Sequence, residues 1–328
     1  MKKNNLTVNT VCGPVDIESL GNVLMHEHLT LGLPGWENDS HAPYIDRSSL
    51  IESVCEKIES LKNAGFNTLL DPCPMDLGRD IDLAIEVSTR TGFNIICATG
   101  LYTENEGGNS YWKLIQKCDP EEFIDRASKL FIKEITEGIG ATTAKAGVIK
   151  IGSDNGEITQ YEMDVIKAAA QAHLKTGTPI TTHTDATIGH LQLQALIECG
   201  VPAEKVIIGH SCGNSNTDYH THLAHQGAYV GFDRFGYGII FSDDVRIENL
   251  VSMINSGFIE KLIISHDCIF CTKGEPFTQG IKNAPPGTFH IEPTYIQQEI
   301  IPRLMDMGVT EDHIKTLLSD NPKKYFSM

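Results

Sequence analysis

The sequence predicts an α/β protein folded as a (β/α)8 TIM barrel with a short N-terminal hairpin. Three observations carry this. Eight short β-branched runs recur at spacings of roughly 25 to 50 residues, each followed by a helical pattern, and alternation of that kind implies parallel pairing. No linker, low-complexity tract or charge block divides residues 1–328, so they read as one domain. Residues able to hold a metal recur at the C-terminal ends of the runs, where such a barrel gathers its chemistry. An open doubly wound sheet is the rival, but it usually places a glycine-rich turn after its first strand, where this chain has His26, Glu27 and His28.

Taken in order, residues 6–16 alternate and then turn at Gly13 and Pro14, which predicts a hairpin within residues 1–20 packed on the barrel. The first barrel strand follows over residues 22–26. A polar loop containing Trp36 leads to a helix over 48–63, whose Leu50, Ile51, Val54, Ile58 and Leu61 fall at three- and four-residue intervals. Gly65 stops it. Strand two covers 67–71 and its helix 80–90, broken at Gly92. Strand three, 94–100, runs into a loop rich in Gly and Asn before a helix over 120–137. Strands at 146–151, 179–183, 205–210 and 228–233 alternate with helices at 161–175, 187–199 and 215–226. A helix at 244–256 leads to the eighth strand, 261–267, and helical stretches at 294–307 and 311–320 close the chain.

Composition narrows the function. Asp plus Glu number 43 against 26 for Lys plus Arg, a formal charge of −17. An acidic surface repels phosphate backbones and anionic lipid, so neither nucleic acid nor membrane is an expected partner. Met1, Lys2, Lys3, Asn4 and Asn5 lead into no apolar segment, and no run reaches membrane-spanning length. Nine cysteines, odd in number and scattered, read as reduced thiols. A cytoplasmic location is expected.

The strand ends hold His26 and His28 on strand one, Lys150 on four, His183 on five, His210 on six and Asp267 on eight. In a strand, His26 and His28 face one way, with Met25 and Glu27 opposite. Two imidazoles side by side are half of a transition-metal site. Any one strand-terminal histidine is more often a hydrogen-bonded rim residue. Lys150, flanked by Val148, Ile149 and Ile151, is harder to dismiss, since a lysine pointing into a barrel is costly unless paired or modified.

The set resembles the phosphotriesterase family of the amidohydrolase superfamily, nearly end to end. The matching residues are Met25 to Leu29, Gly147 to Gly152, Thr182 to Thr184, Gly209 to Ser211 and Ser265 to Asp267. Phe232 to Gly236 and Asn321 to Phe326 look most like the phosphotriesterase-like lactonases. The resemblance implies a binuclear centre of two divalent ions, zinc first, with manganese, cobalt or iron as alternatives. His26, His28 and Asp267 would hold the more buried ion, and His183 and His210 the more exposed one. Lys150, carboxylated by carbon dioxide, would bridge both as a carbamate. A bridging hydroxide becomes available near neutral pH, and Asp267 would take its proton and pass it to the leaving oxygen. All six ligand positions are intact.

Other motifs carry less. The repeat His220, His222, His225 lies on an expected helix, where residues two apart face nearly opposite ways, which points to a solvated or packing role. Cys268 and Cys271 have redox spacing but follow Asp267 in a loop, so they read as pocket wall. Asp71 and Cys73 end strand two and shape the mouth. Tyr102 and Arg234 stand where the resemblance places a tyrosine near the bridging oxygen and a substrate-side arginine. Residues 103–112 and the stretch Lys273 to Phe277 depart from the lactonase pattern. Asn109, Tyr111 and Trp112 should narrow the mouth, with Glu104 and Glu106 close by, favouring a slim, oxygen-rich ring. The expected function is a metal-dependent hydrolase that opens lactones, working as a homodimer. Its alternatives are a phosphotriesterase or other ester hydrolase with the same centre and, in another class, a non-catalytic ligand-binding barrel.

Overall fold

A computed structural model describes residues 6–42, 44, 46–274, 283–285, 288–290 and 292–327. Eight parallel strands follow one another around a barrel. They are β3 (Val23–Leu24), β4 (Thr68–Asp71), β5 (Asn94–Leu101), β6 (Val148–Gly152), β7 (Ile180–His183), β8 (Val206–Ile208), β9 (Tyr229–Phe232) and β10 (Leu262–Ile264). Each pairs with the next, as in Ile151 with Thr182 and Ile264 with Phe232. Just beyond β3 and β10 the ring closes through parallel bridges, His28 with Ile269 and Leu31 with Thr272. The Asp267 N–H donates to the His26 carbonyl at 3.1 Å across that seam, and the His28 N–H to the Cys268 carbonyl at 2.8 Å.

Alternation along the strands sorts the core into two shells. Leu24, Leu69, Ile95, Ile149, Ile180, Ile208 and Ile264 face the helices. Val23, Leu70, Ile96, Val148, Ile207, Tyr229 and Ile263 fill the barrel itself. The antiparallel hairpin of β1 (Thr7–Thr10) and β2 (Gly13–Asp16) lies where it was expected. It caps the N-terminal mouth: Val8 joins the inner shell with Leu20, Tyr325 and Phe326, and the Asn9 side chain donates to the carbonyls of Ile135 and Ala146. Among the described residues, the cavity lined by His26, Lys150 and Asp267 lies at the opposite mouth.

The helices α1 (Arg47–Asn63), α2 (Ile81–Thr91), α4 (Pro120–Thr136), α5 (Gln160–Thr176), α6 (Gly189–Glu198), α7 (Thr217–His225) and α8 (Asp243–Asn255) fall within two residues of expectation. One was missed. The loop before residue 120 contains α3 (Ser110–Cys118), capped by Asn109 and burying Trp112 and Gln116. Two buried residues four apart are too few to reveal a helix among polar neighbours. The stretches expected as single helices near the C-terminus are interrupted. Ile296–Ile300 and Thr316–Asp320 form π turns, each leading into a helix with proline in its first turn, Pro302 and Pro322. Proline lacks the N–H that continues an α ladder, and the wider turn absorbs the gap.

Asn321 explains its place in the C-terminal motif. It is buried, and its side-chain amide donates to the carbonyls of both Ile259 and Leu262 at 2.8 Å, tying the last helix to the entry of β10. Asn321→Ala should destabilise the protein by roughly 1–3 kcal/mol, the penalty for buried carbonyls left unpaired, read as a lower urea midpoint with unchanged metal content.

Candidate metal centre

The site begins with a break in alternation. Met25 packs in the inner shell with Val23, yet the next residue, His26, also points inward, its Nε2 lying 3.2 Å from Lys150 Nζ. The expectation that Met25 and His26 face opposite ways is therefore wrong. Regular strand ends at Leu24, and the His26 N–H donates to Ser265 Oγ at 3.0 Å instead of continuing the ladder. The slip adds one residue, as a bulge does. From there Glu27 faces outward and His28 inward, with the two imidazole centroids 5.6 Å apart.

The other members arrive from their own strands. Lys150 lies on β6 with Nζ 3.3 Å from the Thr182 carbonyl. Gly100 beside it has φ +127°, and a Cβ there would lie 1.8 Å from the Lys150 carbonyl, so only glycine fits. His183 ends β7. His210 and Asp267 both sit past their strands in left-handed backbone, φ +58° and +53°. Such conformations store strain and recur at functional sites. The His210 ring lies 4.7 Å from those of both His26 and His183. Asp267 Oδ1 is 3.3 Å from His28 Nε2 and 3.6 Å from His26 Nε2, and its Oδ2 is 3.0 Å from Arg234 Nε. All six expected ligands are buried at one mouth.

Asp233 was not singled out, yet it organises the group. One carboxylate oxygen lies 3.0 Å from His26 Nδ1 and the other 3.0 Å from His210 Nδ1, also accepting the His210 N–H. Each ring then donates through Nδ1 and turns Nε2 inward. Burial opposes its ionisation, but His210 and His26 hold its pKa well below the usual carboxylate range. Its signals in the sequence were an acid ending strand seven and its place in the Phe232 to Gly236 motif.

Sequence and fold comparisons agree with this geometry. Residues 6–326 match the phosphotriesterase family. The chain belongs to the phosphotriesterase family. It is 33% identical over 326 residues to a phosphotriesterase homology protein of Mycobacterium tuberculosis, covering 97% of each chain. It is also 33% identical over 315 residues to an aryldialkylphosphatase of Saccharolobus solfataricus, covering 95% of this chain and 97% of that one. The structure of a mutant PTE-like lactonase of Deinococcus radiodurans superposes with a TM-score of 0.92 at 33% identity, covering 98% of this chain and all of that one. The protein is thus a metal-dependent hydrolase of ester bonds within the phosphotriesterase family.

The chemistry of the donor set fits the family's two metal ions. Burial lowers the pKa of His26 to about 4, with Lys150 adding to it, and that of His210 to about 3. His183 is driven well down by burial and by His210. These rings are neutral near pH 7, as metal ligands must be. Burial also lowers Lys150 to about 8, against the pull of Asp267 and Asp233. His26, His28 and Asp267 each bring a donor atom within 4.8 Å of the others. His26, His210 and Asp233 do so too, but both Asp233 oxygens are engaged by ring nitrogens. His28 Nδ1 is buried without a hydrogen-bond partner, 3.7 Å from Asp71 Oδ1.

Above the centre lies a cavity of about 430 Å³. Tyr102 reaches in, its hydroxyl 2.9 Å from His183 Nδ1, and its backbone N–H is held by Asp76. Arg234 lies 5.7 Å from the Tyr237 ring centroid, and the Tyr237 hydroxyl donates to the Asp267 carbonyl at 2.7 Å. The walls differ from expectation. Leu31, Leu77, Tyr237, Ile239, Ile240, Ile269 and Phe289 supply most of them, with Glu106, Asp154 and Asp185 as the acidic members. Asn109 caps α3, Trp112 turns away to pack on Phe123, Tyr111 is exposed, and Glu104 is not in the lining. Cys268 and Cys271 do not form wall either; Ile269 between them does. Of the departing loop after strand eight, Glu275, Pro276 and Phe277 lie outside the described residues, while Lys273 bonds the Gly78 carbonyl. His220 is buried and bonds the Ser211 carbonyl, and His222 and His225 are exposed, none facing the centre.

Asp233→Asn should leave one of the two rings without an acceptor for its N–H. Metal affinity is expected to fall about 10- to 100-fold, the usual effect of losing such a partner, as measured by chelator competition.

Proposed function

We propose that this hydrolase opens lactones, and that the observation carrying this reading is Tyr102, whose hydroxyl stands at the mouth of a six-ligand centre. His26, His28 and Asp267 would hold one divalent ion, most suitably zinc given the nitrogen and oxygen donors, and His183 and His210 a second. Lys150, carboxylated to a carbamate, would serve both. Such a pair supplies a Lewis acid for the carbonyl and hydroxide from water near neutral pH.

The side chains account for the remainder. The Tyr102 hydroxyl lies 2.9 Å from His183 Nδ1, and its phenolic O–H would serve the carbonyl oxygen as charge develops there. Burial lifts the Tyr102 pKa well above its ordinary value, so the phenol stays a donor. Asp267 is held ionised despite its burial by His210, His26, the His28 contact and Arg234, ready to accept a proton and deliver it to the ring oxygen. Arg234, 3.0 Å from that carboxylate, fixes its direction. The predominantly apolar walls favour a lactone with an apolar substituent, in place of the oxygen-rich ring expected from the loop sequence.

The D. radiodurans relative is named a lactonase, which supports this reading. The S. solfataricus relative is named an aryldialkylphosphatase, which favours phosphotriester hydrolysis as the second reading. No helix among the described residues is long and apolar enough to cross a membrane, and we place the enzyme in the cytoplasm.

Lys150→Ala should lose metal and activity together, with partial rescue of both by excess bicarbonate or a short carboxylic acid. Full occupancy and turnover in that variant would sink the carbamate assignment. Substrate preference is tested by a panel of lactones set against paraoxon. A planar lactone carbonyl develops one oxyanion, which Tyr102 can serve, whereas a phosphotriester needs room for three arms. The best lactone should exceed paraoxon in kcat/KM by at least roughly a hundredfold, about 2.7 kcal/mol. Tyr102→Phe should slow lactone opening and leave triester turnover nearly unchanged. Equal loss on both substrates, or a better rate with paraoxon, transfers the assignment to ester hydrolysis of phosphotriesters.

A further inference from the structure

We infer that Glu27 is a positioning residue that sets the backbone of Asp267 and so couples the ligands of the first strand to the ligand of the eighth. The inference rests on the metal-hydrolase reading. Glu27 is fully buried on the outer side of the barrel wall, where its neighbours Leu24 and Leu29 are apolar. A carboxylate there is costly unless every lone pair is engaged.

Both oxygens are engaged, and by one segment. Glu27 Oε1 accepts the Ser265 hydroxyl at 2.6 Å and the His266 N–H at 3.2 Å, and lies 2.7 Å from His266 Nδ1. Oε2 accepts the Cys268 N–H at 2.7 Å. The two backbone donors flank Asp267, whose left-handed φ of +53° makes them converge on one side of the chain. Backbone N–H groups on either side of a left-handed residue form a concavity that holds an anion, and here the anion is the Glu27 side chain.

The consequence follows from the geometry. With the N–H groups of His266 and Cys268 held outward by Glu27, the Asp267 side chain is committed inward, towards His28 Nε2 and Arg234 Nε. Ser265 completes the link, since its Oγ donates to Glu27 and accepts the His26 N–H. Glu27 is also bonded in sequence to both His26 and His28. Any rotation of the Glu27 carboxylate therefore moves its donors on Ser265, His266 and Cys268 and, through Ser265 Oγ, the acceptor of the His26 N–H across the seam.

The test compares wild type with Glu27→Gln and Glu27→Asp. Glutamine puts an N–H₂ against an N–H on one side, and aspartate draws the carboxylate back by one methylene. Three quantities are read: the zinc dissociation constant by chelator competition, the melting temperature of the metal-free protein, and kcat and KM at saturating zinc. Zinc binding should weaken about 10- to 100-fold in Glu27→Gln, and kcat should fall while KM changes by less than about twofold. If the glutamine variant fails to fold, Glu27→Asp carries the same comparison. Wild-type zinc affinity and kcat in the folded variants overturn the inference, even with a lowered melting temperature, because Glu27 would then be a brace of the fold only. A third zinc in wild type that is lost in Glu27→Gln also overturns it, assigning Glu27, His266 and Cys268 as ligands. Wild-type protein that binds zinc and opens no lactone overturns the lactonase reading alone, since the affinity comparison still decides Glu27.

Discussion

The structure depends on burying ionisable side chains together at one barrel mouth. Four imidazoles, a lysine and a carboxylate lose hydration there, and each would destabilise the fold if left charged or unpaired. Desolvation turns His26, His183 and His210 into neutral nitrogen donors. Asp233 then orients two of those rings with one carboxylate, and Arg234 balances the charge of Asp267. The arrangement is a set of lone pairs aimed at a common space.

Aiming those lone pairs shapes the backbone around them. A regular strand presents every second residue, yet the site needs Met25 below and His26 above on the same side, so β3 ends at Leu24. The strands β8 and β10 are only three residues long. Their continuations turn through left-handed residues so that His210 and Asp267 face inward. Local backbone strain at these two positions, and the glycine demanded at Gly100, are the structural expense of the site.

Periodicity was enough to read the barrel, since each strand is a β-branched run and most helices carry an apolar stripe closed by a glycine or a cap. It failed where a third influence ruled. Pro302 and Pro322 introduced wide turns into otherwise helical stretches, and α3 hid in a polar loop because its buried face is only Trp112 and Gln116. In the site, the six inward residues were legible because metal-ligand types ending five of eight strands are rare by chance. Asp233 and Glu27 were not, because their roles are hydrogen bonds across the barrel, from Asp233 to His26 and His210 and from Glu27 to Ser265, and spacing along a chain does not encode such pairings. The pocket walls were misread for a related reason. Loop residues near a strand end in sequence spend their side chains away from the mouth: Asn109 caps its own helix and Trp112 packs on Phe123 of α4.

One segment links the centre to the walls. The loop after β9 carries Asp233 and Arg234, which orient the ligands, and then Tyr237, Ile239 and Ile240, which line the cavity. It is held from behind by Arg246 of α8, fully buried, whose guanidinium donates to the carbonyls of Tyr237 and Phe241 at 2.6 Å and pairs with Asp243. Asp243 in turn accepts the Gly236 N–H and the Tyr295 hydroxyl. A guanidinium with several fixed acceptors holds a loop in one geometry better than apolar packing does, because each bond has a direction. The pocket wall therefore cannot shift far without moving Arg234 against Asp267. Substrate selection and the orientation of the Asp267 carboxylate share one mechanical frame.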